Sequence, residues 1–85
     1  MTHEEEKYFE NFFDLFNTEG WKQLQAELQA KGSMYDISKL NSTEDLFFVK
    51  GELSVLNSVL NFETFIRQAY DSNKAEETEE NNASN

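Results

Sequence analysis

The stretch from Leu46 to Tyr70 carries more apolar surface than one helix packed against one neighbour can hide. Leu46, Val49, Leu53, Leu56 and Leu60 form one stripe at three- and four-residue spacing. Val55, Val59, Phe62, Ile66 and Ala69 form a second stripe, displaced around the helix. Together they span roughly half the circumference, wider than the usual single core-facing stripe. Such a helix needs two covers. Either one cover lies in the chain and the other outside it, or the chain's other helices take one face each.

The remaining periodicity supplies those helices. Thr2 and Glu5 have capping-box spacing, and Glu4, Glu5 and Glu6 lie where the helix dipole favours negative charge, so a first helix is predicted over 3–16. Its apolar side is unusually aromatic: Tyr8, Phe9, Phe12, Phe13 and Phe16, with Leu15. Asn17 to Gly20 reads as a break, with Thr18 as a new N-cap. A second helix follows to about Ala30, with Trp21, Leu24 and Leu28 on one stripe and Gly32 as its C-cap residue. Residues 33–41 read as a loop with one helical turn. Ser42 to Asp45 opens a third helix that the stripes carry to about Asp71, across Gly51. The chain has no proline and no strand-like alternation. The predicted fold is all-α with three helices: an antiparallel hairpin of the second and third, plus the N-terminal amphipathic helix alongside it or swinging free.

Residues 71–85 hold no aromatic and no aliphatic side chain larger than alanine, and a segment of that kind buries too little to offset its ordering entropy. They are predicted to be a disordered acidic tail behind a helical domain over 1–70. A core of about 70 residues rarely supplies more than roughly 3–5 kcal/mol without a staple. With no cysteine for a disulfide, oligomerisation is the staple that remains.

The same inventory leaves little chemistry. The one histidine is His3, the three glycines are too dispersed to cradle a phosphate, and acids such as Glu44 and Asp45 are explained as helix-start residues. The expectation is a non-enzymatic protein with no catalytic residues, cofactor or metal. Net charge is −10, with −5 in residues 1–19, −1 in 20–70 and −4 in 71–85. Without a basic patch, direct binding to nucleic acid or to an anionic membrane is not expected. The acidic N-terminal stretch does not read as a signal peptide and no run is long enough to span a bilayer, so a cytoplasmic protein is expected.

Two surfaces are left as candidates for a protein partner. Phe9, Phe12, Phe13 and Phe16 either anchor in a partner's groove or form the core against Trp21 and the third helix. Val55, Val59, Phe62 and Ile66 either form a self-association seam or are covered by the other two helices. Glu52 falls near the middle of the combined apolar arc, a costly place for a carboxylate without a partner. The acidic tail reads as a solubilising segment, or as a mimic of nucleic acid.

Leu15-Phe16-Asn17-Thr18-Glu19-Gly20-Trp21-Lys22 and Leu46-Phe47-Phe48-Val49-Lys50-Gly51-Glu52-Leu53, the latter followed by Leu56, Leu60 and Glu63, give residues 8–70 a pattern that resembles small acidic helical proteins of tailed bacteriophages of the T7-like podovirus type. The resemblance implies a viral protein in an infected bacterial cytoplasm: a virion-associated or assembly component that self-associates, or a small modulator of a host enzyme. It carries over no catalytic residues.

Overall fold

The computed structural model describes residues 1–35 and 37–83. The described residues form four α-helices: α1 (His3–Phe16), α2 (Glu19–Ser33), α3 (Thr43–Leu60) and α4 (Phe62–Ala83), with a short 3₁₀ turn at Ile37–Lys39. The all-α class therefore holds, with four helices where the stripes predicted three. Each hydroxyl in the predicted N-cap positions does that work. The N–H groups of Glu5, Trp21 and Asp45 donate to the side-chain oxygens of Thr2, Thr18 and Ser42, each at 3.1 Å.

The extra helix comes from Asn61. Its backbone stands at φ −97°, ψ 1°, and its side-chain amide donates to the Asn57 carbonyl at 2.9 Å, the same carbonyl its own N–H uses. Asparagine bends the path here by competing for a helical acceptor. Gly51, across which the stripes carry the third helix, lies inside a continuous α3. Gly32 is likewise helical rather than a left-handed cap, and α2 ends one turn later at Met34.

Residues 71–83 also depart from expectation. Composition predicts disorder there, and α4 runs on to Ala83; Ser84 and Asn85 lie outside the described residues. Once the first half of α4 is nucleated by packing, each further residue adds a hydrogen bond without a new nucleation cost. Lys74, Ala75, Glu76 and Glu77 are good helix formers. The amino group of Met1 sits 3.1 Å from Glu77, and Lys74 lies 5.8 Å from the Tyr70 ring centroid, so the segment also has contacts of its own.

The helices pair in twos. α2 runs antiparallel to α3, as contacts between them show: Gln25 donates to the Val59 carbonyl, Gly32 meets Leu56, and Tyr35 donates to Glu52. α1 runs antiparallel to α4, with Phe9 against Tyr70 at 5.4 Å and Phe12 against Phe62 at 5.0 Å between ring centroids. The first helix thus packs alongside and does not swing free. The body is elongated, measuring 63 × 30 × 17 Å. Its radius of gyration is 18.6 Å, against about 12 Å for a compact domain of this length.

The core is confined to one half. Phe9, Phe16, Trp21 and Ile66 are buried, with Phe12, Phe13, Phe62, Tyr70 and Val59 packed against them. Trp21 Nε1 donates to Glu63 at 3.1 Å, Arg67 donates to the other oxygen of Glu63 at 3.0 Å, and its guanidinium lies over Phe13 and Phe16. α3 contributes no buried residue at all.

Candidate functional site

Exposed rings lie on both halves, Phe65 on α4 among them, but the half without a core brings several together. On α3, Phe47, Gly51 and Val55 succeed one another at four-residue spacing, which places them in one line down a helix face, and Phe48 stands beside them. Phe47, Phe48 and Val55 are 66%, 69% and 67% exposed. Large apolar side chains at that exposure, adjacent to one another, are the informative kind of surface feature.

These residues form one wall of an open groove of about 730 Å³, whose other wall is α2 with Leu28 and Lys31. Gly32 sets the spacing of the walls. A Cβ there would stand 3.0 Å from Leu56, so its missing side chain lets the two helices approach closely. Tyr35 closes the far end by donating its hydroxyl to Glu52. That bond gives the carboxylate in the apolar arc a partner, and it holds the Tyr35 hydroxyl above the ordinary tyrosine range, reinforced by burial and by the Glu52 charge.

The structure divides the eight candidate residues. Phe9, Phe16 and Ile66 are buried in the core. Phe12, Phe13, Phe62 and Val59 are half-buried against it. Of the eight, Val55 alone is exposed; it lines the groove, as the half-buried Val59 does. The aromatic face of α1 is occupied within the chain, and so is most of the proposed seam. Phe47 and Phe48 were left out of the candidate set, although Phe48 lies on the same helix face as Val55 and Val59 and Phe47 lies at that face's outer edge. The signal was available: Phe47, Gly51 and Val55 recur at four-residue intervals, a line that widens the second stripe on its side away from the first.

Among the described residues, no group of three or more His, Asp or Glu side chains is placed to hold a metal ion, and no helix is long and apolar enough to cross a membrane. No family model, curated protein or solved structure matches this chain.

Proposed function

We propose that this is a non-catalytic helical interaction protein that self-associates, and that its working surface is the α2–α3 groove. One observation carries the reading. Phe47, Phe48 and Val55 are about two-thirds exposed on a helix that buries none of its own residues. Water-exposed rings of this size favour association, at roughly 25 cal/mol for each Å² covered. The biological setting proposed with it is the one the resemblance implies, an accessory or assembly factor of a tailed bacteriophage. The alternative, docking of the α1 rings into a host enzyme, would require pulling Phe9 and Phe16 from the core.

The test is solution mass by light scattering across a wide concentration range, on the native chain and on Val55→Asp. Val55 is exposed, so the charge is tolerated by the single chain. The expected result is a dimer or larger species for the native chain and a monomer of unchanged helicity for the variant. A native chain that stays monomeric at every concentration rejects self-association.

A further inference from the structure

We infer that the groove is occupied by a second copy of this chain, docked antiparallel across α3, so that two α2–α3 hairpins complete a four-helix bundle; this rests on the self-association reading. Three observations lead to it.

The first is charge. Residues 19–60, which build the hairpin, hold six acids and four lysines, a net of −2. The other residues hold eleven acids and three bases, a net of −8. Two copies can approach through their hairpins without bringing the acidic halves together. Only the antiparallel arrangement sends those halves to opposite ends. In a body 63 Å long this separates them by far more than the ~8 Å screening length of physiological salt. A parallel pair would lay −8 beside −8.

The second is shape. A Cβ at Gly51 meets nothing within 4 Å in the single chain, so nothing inside the chain uses the absent side chain. Gly51 stands midway between Phe47 and Val55 on the exposed line. Antiparallel helices crossing there set Phe47 of each copy opposite Val55 of the other, with the two glycines at the crossing. A large residue thus meets a smaller one on each side of the closest approach. The arrangement has two-fold symmetry, the commonest for soluble oligomers.

The third is area. An aromatic side chain carries on the order of 200 Å², so the exposed parts of Phe47 and Phe48 offer about 270 Å² together. Val55, Leu28 and Leu56 along the groove add apolar surface to this on each copy, within the ~800 Å² per partner of a standard interface. Glu52, the carboxylate that docking would cover, already accepts from Tyr35.

Because the chain has no cysteine, single-cysteine variants read the geometry directly. Under mild oxidation, Gly51→Cys is expected to form a disulfide-linked dimer at least about tenfold faster than Gln68→Cys on α4, since paired thiols react at the effective concentration of a complex. A mixture of Phe47→Cys and Val55→Cys is expected to cross-link to each other faster than either links to itself. Faster self-linking of both is the mark of a parallel pair and overturns the antiparallel arrangement. A native dimer by mass whose Gly51→Cys variant links no faster than the α4 control also overturns it, while leaving self-association intact. A native chain that is monomeric by mass overturns both.

Discussion

At the scale of single residues, glycine and tyrosine carry the sharpest expectations. Gly20 and Gly51 both sit in helices with open space where a Cβ would go. Replacing glycine by alanine in a helix interior is worth about 1 kcal/mol, which in a domain of this size is about 4–8 °C in melting temperature. Gly20→Ala lies near the start of α2, where the gain is smaller, and it should leave solution mass unchanged. Gly51→Leu should keep or raise helicity while abolishing the dimer by light scattering, because the larger side chain holds the second copy away. Tyr35 is read by titration. Its folded pKa is raised, so the Tyr35–Glu52 bond contributes stability that is fully present below the ordinary value of 10.0 and is lost as pH rises through the raised value. Tyr35→Phe should therefore lie below the native chain in stability at pH 8 and converge with it in strongly alkaline solution, as measured by urea unfolding. None of this was legible from Tyr35 in the sequence, where it stood in an ambiguous loop. The partner of Glu52 is seventeen residues away, and only the close approach of α2 to α3 at Gly32 brings them together.

At the scale of elements, the helix starts were legible because capping is local chemistry: Thr2, Thr18 and Ser42 act within three residues of themselves. The break at Asn61 was not, because stripes of apolar residues run through it and nothing in periodicity marks a shared carbonyl. The break lets one long apolar segment serve two pairings, α3 with α2 and α4 with α1. Trp21 is the joint between them, buried at the start of α2 and bonded to Glu63 on α4. Trp21→Ala should cost about 3–5 kcal/mol, comparable to the whole stability of so small a core. The expected result is loss of cooperative thermal unfolding by circular dichroism. The far end of α4 should behave differently. Its contacts beyond Tyr70 include an ion pair from Glu77 to the Met1 amino group and one from Glu77 to Lys74 at 3.8 Å. Those positive groups hold the Glu77 carboxyl below its ordinary range, with the hydrogen bond from the amino group the largest cause. A lowered pKa means stability present above the ordinary value of 4.5 and lost as pH falls through the lowered one. Amides of residues 72–79 should therefore lose protection in hydrogen exchange as pH drops below about 4.5, once corrected for intrinsic rates. Those of residues 63–69, packed on the α1 rings, should keep it.

At the scale of the whole molecule, the governing fact is that the core fills one half. The sequence announced a surplus of apolar surface, and the surplus is real: it lies at Phe47, Phe48 and Val55 on α3 and at Phe65 on α4, while Val59, Phe62 and Ile66 of the second stripe pack in or against the core. Periodicity could count faces on the helix; it could not say which face α1 would claim, because that depends on the bend at Asn61. A hairpin of two helices one layer thick is a poor way to bury anything, and a second layer is the general remedy. The consequence is thermodynamic as well as structural. If two copies share one bundle, folding of the hairpin and association are linked, and melting temperature must rise with protein concentration. Each tenfold increase in concentration above the dissociation constant adds about 1.4 kcal/mol per mole of dimer. Differential scanning calorimetry from micromolar to near-millimolar chain should show this rise for the native protein. Val55→Asp should melt at one temperature throughout, near that of the native chain at its most dilute, because association then contributes nothing and only the contacts within one chain remain. A native melting temperature independent of concentration would mean that the exposed rings do no work in the folded state of this chain alone.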